Sequence, residues 1–523
     1  MFRKILVANR GEIAVRILRT CRELGAATVA LYQAVDRGSL HVRLADECVF
    51  LESSKGFLDQ EAILNIACEK GVDAIHPGYG FLAEREDFIR ACNAAGITFI
   101  GPPVEVLDVV RRKPEALTRA HEAGFPTPAY STLDILPGDF SANSNGNRTS
   151  TTDASRSELD DLPYPLVVKS CRGGRGRGEH LVWSADRLEE VVRKCQAESQ
   201  AFYGEGRVFW EKAILPAHQI GIQVMGDSCG NLIHLGEREG SLIYGNQKIV
   251  EESPAPSLTQ IQRQRLWQAA LELARLFEFQ NVGTVEFLLD EQGQFYFTEI
   301  KPRIQIEHPL TEMISRIDLV RNQILLAAGE PLSLSQEEVF LNGWSMQCRV
   351  SAEDPLRRFL PSPGLLHEVR LPGGMDVRTD TYVYSGCNVP GEYDPLIAKL
   401  VVWGPRRSIC IERLRQALME SRFSGTATNL SFLQRILEQP DFMKGSYNTS
   451  TPIDPSTGLQ SPVDRAGYSV ANYENDAWDQ ETRLRDLSIA AAIAYTQQCQ
   501  TIRPSIPGRL LSGWHRQSRR LPE

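Results

Sequence analysis

The sequence predicts an α/β protein that opens with a doubly wound parallel sheet, and three observations carry that prediction. Apolar strand-like runs alternate with amphipathic helix-like runs over the first hundred residues. A second block of strand signals starts near residue 165. After residue 343 strand density rises again, with Pro and Gly punctuation.

Lys4-Ile5-Leu6-Val7-Ala8 reads as a strand, residues 12–24 as an amphipathic helix and residues 27–32 as the next strand, which is the rhythm of a βαβ unit. Short strands at 74–76 and 98–100 flank a helix-like stretch at 84–95. Gly101-Pro102-Pro103 then closes a first domain assigned to 1–112. A helix at 114–123 opens a second domain, 113–335. Within it, residues 139–161 hold five Ser, three Thr and three Asn against only Phe140 and Leu159 as large apolar side chains. Such a polar insertion cannot offset its ordering entropy, and a mobile loop is expected. Strands follow at 165–169, 208–211, 220–225 and 232–235, then a helix at 259–277 and a hairpin over 284–300. A third, β-rich domain at 336–446 carries helices at 406–419 and 429–437. Residues 447–480 read as a flexible linker. In the tail, 481–523, Leu484, Leu487, Ala491 and Tyr495 recur at helical spacing, as a docking helix would have them.

Composition narrows the function. Of 523 residues, 42% are hydrophobic and 24% charged, the profile of a globular chain. A net charge of -9 argues against nucleic acid as the main partner. The eleven cysteines are scattered with no CxxC pair, which reads as reduced thiols in a cytoplasmic compartment. No secretory signal is evident, and the apolar stretch at 487–495 is about half the length needed to span a bilayer, so no membrane association is expected.

Several motifs could carry chemistry. Arg172-Gly173-Gly174-Arg175-Gly176-Arg177-Gly178 follows a strand ending in Lys169-Ser170-Cys171. Glycines let backbone amides approach a polyphosphate, and Lys169 with the arginines adds positive charge; a flexible basic loop is the structural alternative. Neither a GxxxxGK(S/T) P-loop nor a GxSxG nucleophile elbow is present. Gly78-Tyr79-Gly80-Phe81-Leu82-Ala83 fits GxGxxA, but its strand is short and ends in His76-Pro77, which argues against a dinucleotide site. In the hairpin, a four-residue loop at 291–294 would set Glu286 opposite Glu299. Like charges so placed repel unless a cation lies between them, and two carboxylates with a polyphosphate suit Mg²⁺. Another loop length would put them on opposite faces. Downstream, Arg303, Gln305 and Glu307 place hydrogen-bonding groups at alternate positions.

Five separated motifs then occur in order. They are Ala8-Asn9-Arg10-Gly11-Glu12-Ile13-Ala14, His76-Pro77-Gly78-Tyr79-Gly80-Phe81, Lys248-Ile249-Val250-Glu251-Glu252 with Pro254-Ala255-Pro256, residues 303–309, and Cys348-Arg349 with Ala352-Glu353-Asp354-Pro355. Through about residue 444 the chain resembles the biotin carboxylase component of biotin-dependent carboxylases. The resemblance implies a preATP-grasp domain, an ATP-grasp domain and a C-terminal β-rich biotin carboxylase domain. It also implies a two-step ligase reaction in which ATP and bicarbonate give carboxyphosphate and the carboxyl group passes to biotin on a carrier protein.

The implied roles follow residue by residue. Glu307 resembles the base that deprotonates bicarbonate, a role that requires a carboxylate tuned upward in pKa. Lys248, Arg303, Gln305 and the Ile306 backbone resemble the bicarbonate cradle, and Arg349 the group that stabilises the biotin enolate. Tyr79 and Gly80 lie where the family holds the biotin ring. Lys113, Lys169, Glu211, Lys212 and Ile214 match nucleotide-binding positions, with Gly173, Gly174 and Gly176 in the lid over the phosphates. Glu286 and Glu299 match ligands of Mg²⁺ or Mn²⁺.

Departures concentrate on the ATP side. Lys301 stands where the family usually has Asn, and this ammonium would repel Mg²⁺ or substitute for one of two ions. Gln219, Gly221, Ile243 and Asn246 replace the common His, Glu, Gln and His, while Arg172 and Arg175 replace glycines. Three readings follow: an active biotin carboxylase with altered nucleotide or metal handling; a catalytically impaired paralogue serving as a structural or regulatory subunit; and an ATP-grasp ligase for another carboxylate, which the retained Tyr79 and Arg349 disfavour. None of the seven methionines lies in an Ala-Met-Lys-Met context. A separate biotin carboxyl carrier protein and a separate carboxyltransferase subunit are therefore expected as partners, and family resemblance adds a homodimer. The tail through Trp514 resembles the segment after this domain in acyl-CoA carboxylase α-chains.

Overall fold

Ile5, Leu6 and Val7 are fully buried, and a strand apolar on both faces needs helices on both sides. That is how the N-terminal unit is built in the computed structural model, which describes residues 1–131, 162–172, 178–244 and 247–453. Strands β1 (Lys4–Val7), β2 (Ala27–Tyr32), β3 (Glu47–Phe50), β4 (Ala74–His76) and β5 (Thr98–Phe99) form a parallel sheet in the order β3-β2-β1-β4-β5. The helix Gly11–Glu23 buries Ile13, Ala14, Ile17, Leu18 and Cys21 in one cluster with Ile5, Val7 and Ala74. Edge strand β3 had no sequence signal strong enough to be expected: its alternate residues point to solvent.

Strand order reverses between β1 and β4, which is where open α/β sheets place their ligand crevice. The loops after these strands meet there. Asn9 Nδ2 donates to the carbonyls of Pro77 at 2.7 Å and Tyr79 at 2.8 Å. Gly78 has φ +63°, and a Cβ there would lie 2.9 Å from Asn9 Nδ2, so the glycine serves close packing against Asn9.

Beyond it, β6 (Leu166–Ser170), β7 (Glu179–Val182) and β8 (Val208–Lys212) make a three-stranded sheet in the order β7-β6-β8. The helix Ala185–Tyr203 covers it through Leu188, Val192 and Cys195. Neither β7 nor this helix was expected from the sequence.

An eight-stranded antiparallel sheet forms the body. It contains β9 (Ala217–Gly226), β10 (Leu232–Tyr244), β11 (Gln247–Ser253), β12 (Asn281–Asp290), β13 (Phe295–Lys301) and β14 (Trp344–Ser351), with Leu396–Gly404 and Val377–Thr381 at one edge. The expected strand at 232–235 is in fact thirteen residues long. Its continuation Glu237-Arg238-Glu239 carries three charges, yet all three side chains are buried. β11 pairs with β14, so one sheet runs across the boundary drawn at 335/336.

The linker drawn from 447 is docked at its start. Tyr447 is buried with its hydroxyl donating to Glu252 Oε1 at 2.8 Å, and the Thr449 amide donates to the Ala217 carbonyl at 2.8 Å. The polar insertion at 139–161, Gly173, Gly174, Gly176, Asn246 and the 481–523 tail lie outside the described residues. Among the described residues no helix is long and apolar enough to cross a membrane, and all ten cysteines are free thiols.

Candidate active site

Bulges aim the side chains of this site. Register shifts by one between Leu242↔Val250 and Ile243↔Lys248, so Ile249 is an extra residue in β11 and Lys248 comes to share a face with Glu251. A second shift, between Phe287↔Phe297 and Glu286↔Glu299, makes Thr298 the extra residue of β13. The expected pairing of Glu286 with Glu299 is therefore present, but through this bulge; the register nearer the turn is one off from a simple four-residue loop. Arg303, Gln305 and Glu307 do not form a strand. They lie in the loop leading into the helix His308–Ser315.

Glu307 is buried between two cations. Lys248 Nζ lies 2.7 Å from its Oε1 and Arg349 Nη2 3.3 Å from its Oε2. Burial pushes the Glu307 carboxyl up, but Lys248, Arg349 and Arg238 outweigh this and hold it well below the usual carboxylate range. The upward tuning expected of the base is thus reversed, because three guanidinium and ammonium groups converge on one carboxylate. Arg349 also grips Glu251 with a fork, Nε to Oε2 at 3.1 Å and Nη2 to Oε1 at 2.7 Å.

Gln305 joins this cluster to the acidic pair. Its Nε2 donates to Glu286 Oε1 at 2.7 Å, and its Oε1 accepts from Arg238 Nη2 at 2.6 Å. Arg238, absent from the sequence reading, is buried and also donates to Gln223, Thr311 and Thr284 at 2.7 to 2.8 Å. Gly221, Lys248, Glu286, Gln305 and Glu307 line one narrow polar cleft, too tight as it stands to admit a water molecule. A Cβ at Gly221 would stand 2.9 Å from Thr284 Cγ2 and 3.4 Å from both Glu286 oxygens, so a carboxylate side chain there would require Thr284 to move.

The Ile306 carbonyl accepts from Lys399 Nζ at 3.2 Å, and Lys399 lies 3.1 Å from Glu12 Oε2. Tyr79 donates its hydroxyl to Glu12 Oε1, so the turn of Tyr79 and Gly80 is connected to the 303–307 loop through Glu12 and Lys399. Arg303 does not join Glu307 and Lys248. It is held by Glu84, which also pairs with Arg111 at 3.0 Å. Lys399, Glu12 and Glu84 were missed as site residues; buried charge in otherwise apolar segments was the signal available for the first two.

On the nucleotide-like side, Lys169 Nζ lies 2.6 Å from Glu211 Oε2, and Lys113 Nζ lies 2.8 Å from Glu179 Oε1 and 3.5 Å from Glu299 Oε2. Lys301 Nζ lies 2.6 Å from Glu299 Oε1. Lys212 donates to the carbonyls of Pro163 at 2.9 Å and Tyr164 at 3.0 Å, and Ile214 is half-buried just past β8. For a cation the acidic pair is unequal. Glu286 Oε2 is buried with no hydrogen-bond partner and fits a metal, whereas both Glu299 oxygens already face ammonium groups. Among the described residues no three His, Cys, Asp or Glu side chains could hold a metal together, so phosphate or water oxygens would have to complete its shell.

Comparison with known proteins follows the same layout. Family models match in three blocks: "Biotin carboxylase, N-terminal domain" over residues 1–107, "Carbamoyl-phosphate synthase L chain, ATP binding domain" over 140–335, and "Biotin carboxylase C-terminal domain" over 347–452. The chain is 43% identical to a biotin carboxylase of Nostoc sp. over 452 residues, 86% of this chain and 98% of that protein. It is 40% identical to the 2-oxoglutarate carboxylase small subunit of Hydrogenobacter thermophilus, over 86% of this chain and 93% of that one. The solved biotin carboxylase domain dimer of that organism's 2-oxoglutarate carboxylase, in complex with MgADP, ADP and bicarbonate, superposes with TM-score 0.80 at 39% identity, covering 86% of this chain and 96% of that chain.

Proposed function

Since this chain belongs to the biotin carboxylases, ATP-dependent enzymes of biotin-dependent carboxylases, we propose that the Glu307 cluster carries out bicarbonate activation and the transfer of its carboxyl group to biotin. The observation that carries the reading is the position of Glu307 between Lys248 and Arg349, with Gln305 reaching from this cluster to Glu286.

In this reading bicarbonate sits against Lys248, Gln305 and the Ile306 backbone. Arg303 reaches it by leaving Glu84. Glu307 takes the bicarbonate proton, and the charge it hands over is stabilised by the fixed Lys248 and Arg349 cations rather than by a high carboxylate pKa. That division of labour explains how a carboxylate held low can serve: it is ionised at every physiological pH, and preorganised cations supply the driving force. Lys113, Lys169, Glu211, Lys212 and Ile214 would hold ATP, together with Gly173, Gly174 and Gly176. Mg²⁺ on Glu286, and on Glu299 if Lys301 withdraws, would neutralise charge developing on the transferred phosphoryl group. Arg349 then faces the biotin enolate, with Tyr79 and Gly80 beside the ring.

For the wider assembly we propose a biotin carboxyl carrier protein and a carboxyltransferase as separate subunits, a homodimer of this chain, a cytoplasmic location and an acyl-CoA as final acceptor. The relative named as a small subunit supports separate partners, the dimeric solved relative supports the homodimer, and the free thiols support the compartment. Purified protein should hydrolyse ATP in a manner dependent on both bicarbonate and free biotin. Absence of turnover with Mg²⁺ or Mn²⁺ at saturating ATP would sink this assignment and leave the structural-subunit reading, which the Lys301–Glu299 pair favours.

A further inference from the structure

Glu179 opens β7 directly opposite Lys169 across the antiparallel ladder, and its Oε1 accepts from Lys113 Nζ at 2.8 Å. Around it Lys113, Lys169 and Lys301 face Glu179, Glu211 and Glu299, so the three ammonium groups are neutralised by three carboxylates. Burial alone would favour the protonated acid at Glu179, but Lys113, Lys169 and Lys301 outweigh it and keep the group ionised. A triphosphate gains most from unbalanced positive charge, and here the charge is already balanced.

The six groups are not equally fixed. Glu179 keeps 27% of its side chain in contact with solvent, more than any of the other five, and Lys113 only 4%. Any anion that approaches Lys113 from solvent competes with Glu179 for the same ammonium. Glu211 and Glu299 lie deeper, so Glu179 is the carboxylate whose release costs least desolvation and exposes a cation.

We propose that Glu179 is an intramolecular stand-in for phosphate, which occupies the Lys113 ammonium in the nucleotide-free protein, must leave it when ATP binds, and thereby sets nucleotide affinity. The inference rests on the nucleotide site proposed above. It assigns a specificity-determining role to a residue that neither the motifs nor the sequence pattern pointed to.

The test is calorimetric titration of the full chain and of its Glu179→Gln and Glu179→Ser variants with ATP plus MgCl₂, and separately with adenosine. Glutamine keeps the shape and removes the charge; serine removes the reach as well. The Kd for ATP should fall by about tenfold or more in both variants, because a like charge facing the ligand is lost, while that for adenosine stays within about twofold. Equal ATP affinity in all three proteins would overturn the role of Glu179 and leave the nucleotide site standing. Adenosine binding that tightens as much as ATP binding would overturn it too, since the effect would then be steric. If none of the three proteins binds ATP, the proposal falls together with the nucleotide site.

Discussion

Lys301 Nζ lies 2.6 Å from Glu299 Oε1, while Lys113 Nζ lies 3.5 Å from the other oxygen of the same carboxylate. Glu299 is therefore saturated by ammonium groups, and its cross-strand neighbour Glu286 retains a buried oxygen with no partner. An ammonium supplies one positive charge without coordination, so it can balance Glu299 but cannot bridge it to a phosphate as a divalent ion would.

The Lys301→Asn variant frees one oxygen of Glu299. The Mg²⁺ concentration for half-maximal ATP hydrolysis should fall by about tenfold, the scale on which groups next to a metal ligand act. Mn²⁺ bound per protein–ADP complex, counted by electron paramagnetic resonance, should rise. An unchanged metal titration would show that Lys301 does not govern this site in solution.

Glu307→Gln should lower bicarbonate-dependent hydrolysis by about 100-fold or more, since it removes the proton acceptor while leaving the shape of the site. The same substitution tests the depressed pKa. A carboxylate held below its unfolded value contributes stability that is present above the unfolded value, near pH 4.3, and is lost as pH falls through the lower folded value. The melting-temperature advantage of the parent over Glu307→Gln should thus be constant from neutral pH to about pH 5 and shrink below that. Retained bicarbonate-dependent activity in the variant would remove Glu307 from the base role.

Much of the fold was legible because burial and periodicity agree in it. Residues 27–32 and 74–76, the helices near 12–24 and 259–277, and the hairpin with its two glutamates all follow patterns of apolar spacing. What escaped was structure whose residues contradict their surroundings. Glu237-Arg238-Glu239 puts three consecutive charges in the middle of a buried strand, where an apolar pattern cannot find them, and Gln223, Thr284, Gln305, Trp267, Arg263, His218 and Ser257 satisfy them by hydrogen bonds. Glu179 reads as the residue after a glycine loop, and only three-dimensional pairing reveals the three lysines around it. Bulges were invisible as well, since they insert a residue without any compositional mark. The pairing of Glu286 with Glu299 survived only because Thr298 restored the expected register.

Glu12 gives a pH signature of the opposite sign. Burial pushes its carboxyl up to about 7, against the pull of Lys399 3.1 Å away. A carboxyl raised on folding contributes stability that is fully present below its unfolded value and lost as pH rises through about 7. Glu12→Gln mimics the protonated form and keeps an acceptor for Tyr79. Between pH 5 and 7 the parent should lose stability relative to this variant, on the order of 1–3 kcal/mol, with little further change above pH 8. Thermal denaturation of both proteins across that range measures it, and parallel curves would show that Glu12 does not titrate there.

Arg238 separates holding the fold from arranging the chemistry. It is buried, with its guanidinium spread over Gln223, Thr311, Thr284 and Gln305, and burial lowers its pKa against the nearby Glu307, Glu286 and Glu251. Arg238→Met leaves those acceptors unsatisfied and removes a cation facing three carboxylates, which should destabilise the protein by about 3–5 kcal/mol. Arg238→Lys keeps the charge but cannot reproduce the fork. Gln305 then loses the bond that fixes its amide between Arg238 and Glu286. The KM for bicarbonate in the lysine variant should rise by about tenfold or more, as expected when a positioning contact moves, with the KM for ATP nearly unchanged. Steady-state kinetics with each substrate varied in turn provides the check. A rise confined to ATP would place Gln305 on the nucleotide side of the site and detach Arg238 from bicarbonate.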